Sequence, residues 1–294
     1  MADVSVAVII PSHDGVRDGN LRRLLDDIAR QTRQPAEVHV ITGVSPSGRA
    51  RNAGARRASA DVLLFLDDDV RLGHDRVIGT MTAMLADPGI GIAGASQLLA
   101  PDASRFERAA GRQIPRSMSA VVEQPTDSDF VTTACCAIRR ETFRRLGGFN
   151  EEIPRGVDPE FRARVRAAGL RIAVAANTWY YHPMPATLGS LCRTFFRNGQ
   201  LSAEAVRRMP GAALENPDGH VAQFVARRSA AYRAGRQAAR FVAALVTFRW
   251  IGLAAQTSYA AGYLSHRVGL RPAPPAVRGG GVAVEPDRRG GPAS

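Results

Sequence analysis

The chain has 294 residues, 45% of them apolar, enough for one large domain with a substantial core plus appendages. Its formal charge is +12, but the arginines carry all of it and there is no lysine, so the basicity reads as a compositional habit and not as a sign of nucleic acid. Aromatic residues at 6% are too few for a base-stacking surface, and Cys135, Cys136 and Cys192 lack the spacing of a disulfide framework or a zinc site, which fits a reduced, cytoplasmic chain.

The first residues, Met1-Ala2-Asp3-Val4-Ser5-Val6, have neither the basic segment nor the long apolar core of a signal peptide. Val4 to Ile10 predicts a buried strand, closed by the loop Pro11-Ser12-His13-Asp14-Gly15. Leu21, Leu24, Leu25 and Ile28 fall at helical spacing, and Glu37 to Thr42 predicts a second strand. Ser47 to Ala58 suits a helix and Val62 to Leu66 a third strand. Strand, helix, strand, helix, strand predicts a parallel, right-handed, doubly wound α/β start. No Gly-x-Gly-x-x-Gly follows the first strand, which sets it apart from the usual dinucleotide fold.

A helix over Val77 to Leu85 and a strand over Ile90 to Ala95 come next. Ala100 to Gln124 has weak periodicity and predicts an irregular, substrate-covering loop. Phe130 to Ile138 reads as strand, Arg140 to Leu146 as a short helix stopped by Gly147-Gly148, Asp158 to Ala168 as helix and Ile172 to Ala176 as strand. From Ala186 the pattern is helical with breaks at Pro210 and Pro217, and from Arg271 the Pro-, Gly- and Arg-rich tail predicts disorder. The expected divisions are 1–200, a helical extension 201–270 and a tail 271–294.

The chemistry concentrates at Leu63-Leu64-Phe65-Leu66-Asp67-Asp68-Asp69, an apolar run ending in three carboxylates. A run without polar alternation fits a strand buried on both faces, and ligands of such sheets bind beyond the carboxyl ends of the strands. Two carboxylates about 4 Å apart repel by roughly 4 kcal/mol at an effective dielectric near 20, a cost that a hard divalent cation removes. Alternation puts Asp67 and Asp69 on one side and Asp68 on the other.

Taken in order, Val8-Ile9-Ile10-Pro11-Ser12-His13, Ala50-Arg51-Asn52-Ala53-Gly54, Phe65 to Asp69, Arg139 to Phe143 with Gly147 to Glu151, Val157-Asp158 and His182 resemble family 2 glycosyltransferases of the GT-A fold, over roughly residues 4 to 200. The resemblance implies a Rossmann-like mixed α/β sheet with helices on both faces, a nucleotide-diphosphate sugar donor and Mg²⁺ or Mn²⁺. It implies Asp67 toward the nucleotide, Asp69 and His182 toward the metal, and Asp158 as the base that deprotonates the acceptor hydroxyl and so inverts the anomeric centre. Two departures stand out. The acid that precedes the base in the family is Val157 here, and the Asp that many members carry after the second strand is missing from Thr42-Gly43-Val44-Ser45, leaving His13 and Asp14 as candidates for nucleobase contact.

Pro11, Ser12, His13, Asp14, Arg51, Asn52, Asp67, Asp68 and Arg197 form the candidate donor-binding set. Each has a plainer alternative: Asp158 before Pro159 also suits a helix N-cap, Arg51 among Arg49, Arg56 and Arg57 a solvated helix face, and His182 a structural role. Arg193 and Arg197 flank Phe195-Phe196 without forming the Gln-x-x-Arg-Trp motif of processive synthases, which favours a single addition. The competing functions are a nucleotidyltransferase that makes sugar nucleotides and a non-catalytic basic scaffold.

Residues 220–270 contain no acid, while Arg227, Arg228, Arg233, Arg236, Arg240, Arg249 and Arg267 accumulate there. Phe241 to Ser265 is apolar enough to suggest a helix lying on the inner face of the cell membrane, a helical pair packed on the catalytic domain, or a span. Arg249 near its middle counts against the span, at about 2.5–3.5 kcal/mol on insertion scales. The expected partners are thus the donor, a glycan or lipid-linked acceptor and a peripheral membrane contact through 227–267.

Overall fold

The computed structural model describes residues 4–212, 214–216 and 224–269; the expected tail at 271–294 and the expected break at Pro217 lie outside them. In chain order the elements are β1 (Val6–Ser12), α1 (Asn20–Ala29), β2 (Glu37–Thr42), α2 (Ser47–Arg57), β3 (Val62–Leu66), β4 (Arg71–Leu72), α3 (Val77–Met84) and β5 (Ile90–Leu98). They continue with α4 (Arg105–Gln113), β6 (Thr126–Asp127), β7 (Cys135–Arg139), α5 (Arg140–Arg145), α6 (Val157–Ala167), β8 (Arg171–Tyr181), α7 (Leu188–Arg208), β9 (Leu214–Glu215), β10 (Ala226–Arg227), α8 (Ala230–Val246) and α9 (Trp250–Arg267).

The main sheet runs β2-β1-β3-β7-β5-β8-β4, with β6 on β8. β1 is parallel to β2 and β3, as the chain order predicts, whereas β7 runs antiparallel to both β3 and β5 and makes the sheet mixed. Side-chain alternation divides the core. Val6, Val8, Ile10, Leu64 and Leu66 pack with Leu24 and Ile28 of α1 and Ile78 and Met81 of α3. Ala7, Ile9, Leu63 and Phe65 face the other way, toward Phe143 of α5 and Phe161 of α6. There Phe65, Phe143, Phe149 and Phe161 form a ring cluster with centroids 4.8–5.5 Å apart, a spacing that favours edge contacts. A Cβ on Gly54 would lie 2.5 Å from Ile9 Cγ2, so glycine lets α2 sit directly on β1.

Several expectations are corrected. Ala100 to Gln124 is not wholly irregular. It contains α4, opened by a capping box in which Glu107 N donates to Ser104 Oγ and Ser104 N donates to Glu107 Oε2. The apolar side of α4 is short, Phe106 and Ala110 with Ile114 just beyond, and it packs against Ile251 and Ala255 of α9, which explains the weak periodicity. Strand pairing at 130–138 begins only at Cys135, so residues 130–134 are a connection that passes the carboxyl end of β3. β8 continues through Trp179 and Tyr180, and β1 extends through Pro11 and Ser12, which pair with Ile41 and Thr42.

The N-cap of α6 is Gly156, at φ 89°, and not Asp158, which lies two residues further in. Its carboxylate still favours the helix N-terminus. The apolar stretch Phe241 to Ser265 is two helices, α8 and α9, separated at 247–249 where Phe248 takes φ 54°. No helix among the described residues is long and apolar enough to cross a membrane, which removes the span. α9 lies along α7, which runs unbroken across residue 200, and the two backbones meet at Gly199 and Gly262.

Candidate active site

β3 ends at Leu66, and its extension carries Asp67, Asp68 and Asp69 beyond the sheet. The Asp67 N–H donates to Ala134 O at 3.1 Å, which fixes the acidic turn against the connection into β7. At the end of β8, the His182 N–H donates to Leu98 O at 3.0 Å. The ring's Nδ1 lies 3.0 Å from Pro183 O, and its Nε2 lies 3.6 Å from Asp69 Oδ1. One ligand atom each from Asp67, Asp69 and His182 falls within a 4.8 Å group. Asp69 Oδ1 is buried and has no hydrogen-bond partner among the described residues. An anionic oxygen left in that state is costly, and two carboxylate oxygens with an imidazole nitrogen suit Mn²⁺ better than Mg²⁺. The residues present therefore fit the divalent cation.

Asp68 is set apart from that group. It turns to the α1 side, accepts from Ser12 Oγ at 2.6 Å, and burial lifts its pKa above the usual carboxylate range despite that bond. Ser12, at the end of β1, is thereby tied to Asp68. Arg51 is buried, not solvated, and its Nη2 reaches Asp67 Oδ1 at 2.5 Å. Burial alone would lower its pKa, but the charges of Asp67 and Asp158 outweigh it and hold the guanidinium protonated. The neighbouring Asn52 faces elsewhere: Nδ2 donates to Phe149 O at 2.8 Å and Glu151 Oε1 at 2.9 Å, and Oδ1 accepts from Phe149 N at 2.9 Å. It clamps the Gly147-to-Glu151 segment to α2.

Asp158, in the first turn of α6, accepts from Thr133 Oγ1 at 2.7 Å, and its Oδ2 carries no hydrogen bond among the described residues. Arg162, one turn on, is buried, donates to Val131 O and contacts Asn216 Oδ1 at 2.5 Å. α6 is thus held to the 130–134 connection at two points. Val157, where the resembling family has an acid, is buried in the aromatic core cluster. Burial, followed by the charge of Asp158, pushes the Cys136 thiol up to about 12, so it is not a nucleophile at neutral pH.

The structure groups Asp67, Asp69 and His182, pairs Arg51 with Asp67, and ties Asp67 and Asp158 to the neighbouring residues Ala134 and Thr133. His13 and Asp14 are exposed on the loop after β1, where Asp14 Oδ1 accepts from Val16 N at 2.9 Å and Arg17 N at 2.8 Å. Arg193 and Arg197 are exposed on α7. Sequence reasoning missed Thr133, Arg162 and Arg17, the last of which pairs with Asp69 Oδ2 at 2.7 Å. Thr133 stands in an apolar stretch with no motif of its own, and Arg17 is one of many arginines. A depression of about 710 Å³ opens at the far end of the sheet beside Asp61 and Val62. Its Arg139 donates to the carbonyls of Leu85, Asp87, Pro88 and Ile90, a structural use.

Residues 2–201 match the family described as glycosyltransferase like family 2. Over 222 residues the chain is 28% identical to the O-antigen biosynthesis protein RfbC of Myxococcus xanthus, covering 60% of this chain but only 17% of that one. Over 233 residues it is 25% identical to the O-antigen chain rhamnosyltransferase RfbN of Salmonella typhimurium, covering 68% of this chain and 73% of the relative. The mannosyltransferase PcManGT of Pyrobaculum calidifontis, solved with GDP-Man and Mn²⁺, shares the fold with a TM-score of 0.56 at 16% identity, over 90% of this chain and 87% of its own.

Proposed function

The chain belongs to the glycosyltransferase like family 2 and is a glycosyltransferase with a nucleotide-sugar donor, and on that premise we propose that it adds a single sugar to an acceptor hydroxyl with inversion, Asp158 serving as the base. The observation that carries this reading is one dipeptide, Thr133-Ala134. The Thr133 side chain orients Asp158 and the Ala134 carbonyl anchors Asp67, so the base and the cation-fitting group are held by adjacent residues.

Asp69, Asp67 and His182 would hold the divalent cation, which supplies charge neutralisation for the departing diphosphate. Arg51 fixes one oxygen of Asp67 and balances the buried charge between Asp67 and Asp158. Thr133 holds Asp158 Oδ1, and the unbonded Oδ2 accepts the proton of the acceptor hydroxyl. A base across the sugar from the leaving diphosphate directs attack in line, which inverts the anomeric carbon. Ser12 and Asp68 hold the end of β1 against the acidic turn, and Asn52 holds the α2 wall. Pro11, His13, Asp14 and Arg197 are assigned to the donor by the family resemblance alone. Similarity to two O-antigen proteins supports a glycan or lipid-linked acceptor. The test is release of nucleoside diphosphate from a panel of nucleotide sugars, with Mn²⁺, with Mg²⁺ and with chelator. Cation-dependent turnover of one donor supports the reading, and turnover indifferent to chelator overturns the metal assignment.

The membrane contact belongs to the same proposal. Val242, Leu245, Val246, Phe248 and Trp250 are exposed together where α8 meets α9, with Val246 at 70% and Phe248 at 72%. Arg236, Arg240 and Arg249 accompany them in a segment with no acid. That pairing of apolar tip and positive charge complements an anionic bilayer surface. Flotation with phosphatidylglycerol vesicles, weakened by Phe248→Ser with Trp250→Ser, is the expected result. Equal flotation with neutral vesicles, or a stable dimer broken by the same changes, would assign the tip otherwise.

A further inference from the structure

Arg17 occupies the mouth of the carboxylate cluster, with Nη2 2.7 Å from Asp69 Oδ2 and Nε 3.6 Å from Asp68 Oδ1. It is half-exposed, 48% for the side chain, while Asp69 is largely covered. Asp69 therefore offers its two oxygens to different neighbours: Oδ2 to Arg17 from outside, and the orphaned Oδ1 inward toward His182. Arg17 is delivered there by an unusual loop. Arg17 and Asp18 both adopt left-handed backbone, at φ 47° and 52°, a conformation that non-glycine residues rarely take twice in succession. The Asp14 carboxylate holds the turn by accepting the N–H groups of Val16 and Arg17. Residues in such conformations persist where the surroundings fix them, and they gather at sites that change state.

Charge bookkeeping gives the arrangement a purpose. Within the acidic turn alone, with Asp158 left out of the count, Asp67, Asp68 and Asp69 face the guanidiniums of Arg51 and Arg17, which leaves one negative charge in excess there. A divalent cation entering alone would turn that into an excess positive charge beside Arg17. A cation entering with a diphosphate would not, and the diphosphate would give Arg17 a new anionic partner. Arg51 cannot play this part, because it is buried and bound to Asp67.

Resting on the donor and metal reading above, we propose that Arg17 is a resident countercharge that makes cation binding conditional on the donor: it competes with the cation for Asp69 in the free protein and transfers to the donor diphosphate in the complex. The two roles have opposite signs in one variant, which a merely structural residue would not produce. Arg17→Gln should bind Mn²⁺ alone about tenfold more tightly and bind Mn²⁺ with a nucleoside diphosphate about tenfold more weakly, since one charge-assisted contact is lost in each comparison. Arg17→Lys, which keeps the charge, should lie between the variant and the wild type in both.

The measurement is Mn²⁺ binding by electron paramagnetic resonance, without nucleotide and with UDP, GDP or dTDP, on wild type, Arg17→Gln, Arg17→Lys and Asp69→Ala. Opposite shifts in Arg17→Gln support the proposal. Unchanged affinities, or shifts in the same direction, overturn it while leaving the metal reading intact, provided that Asp69→Ala abolishes binding. If wild type and Asp69→Ala bind Mn²⁺ alike, the metal reading and this proposal fall together.

Discussion

Thr133 donates its hydroxyl to Asp158 Oδ1 at 2.7 Å from a connection that has no regular secondary structure. The bond holds one oxygen of the carboxylate and leaves Oδ2 without a hydrogen bond among the described residues. Replacing Thr133 with Val removes the donor at nearly constant volume. The expected outcome is a fall in kcat of about tenfold, the worth of one hydrogen bond to a charged group, with donor and Mn²⁺ affinity unchanged. Thr133→Ser should restore the rate. Steady-state kinetics on the three proteins check this.

Asp68 should behave unlike its neighbours. Burial raises its folded pKa above the unfolded value, so its ionisation opposes folding, and the cost develops as pH rises through the interval between the unfolded and folded values. Asp68→Asn keeps an acceptor for Ser12 and removes the charge. Thermal unfolding should show the variant as stable as wild type or more so at pH 7, the advantage vanishing below the unfolded pKa of about 4. Transfer activity should persist.

Glu204 works in the opposite sense. Arg207 first, and then Arg208, hold its pKa at about 2, and its Oε2 lies 2.9 Å from Nε2 of the buried His266 of α9. A depressed carboxylate pKa contributes stability above the unfolded value that is lost as pH falls toward 2. The arginines are half-exposed and screened, so the contribution is on the order of 1–2 kcal/mol. Glu204→Gln should lower the unfolding midpoint at pH 7 and flatten its decline on acidification, read by calorimetry across pH.

The crossing of α7 and α9 depends on two absent side chains. A Cβ on Gly262 would collide with the Phe196 carbonyl, and one on Gly199 with the Tyr259 carbonyl. Gly262→Val should separate the helices and cost on the order of 1–3 kcal/mol, the usual cost of overpacking. Faster proteolysis at the 247–249 break, with donor turnover largely kept, is the expected reading.

Much of this was legible in the chain because burial on both faces leaves a plain mark: Val62 to Leu66 carries no polar residue, and the acids begin where the sheet ends. Other features leave no local trace. Asn52 adjoins Arg51, but successive helical residues point about 100° apart, and Asn52 serves Phe149 instead. Asp158 looked like a helix cap because Pro159 follows it, yet Gly156, with its left-handed backbone, begins the helix earlier. The start of α4 was readable as Ser104-Arg105-Phe106-Glu107, though its short apolar side hid it. Thr133 and Arg17 matter through residues far away in sequence, which only the β7 pairing and the loop after β1 bring near.

In the proposed function a cation-holding half and a base-holding half meet across the Thr133-Ala134 connection. Donor binding and sugar transfer, measured side by side with Mn²⁺ for Asp69→Ala and Asp158→Asn, test it most directly. Asp69→Ala should lose Mn²⁺-dependent donor binding, whereas Asp158→Asn should bind donor and Mn²⁺ as wild type does and lose transfer by at least about a hundredfold. Full transfer by Asp158→Asn, or normal donor and Mn²⁺ binding by Asp69→Ala, would contradict it.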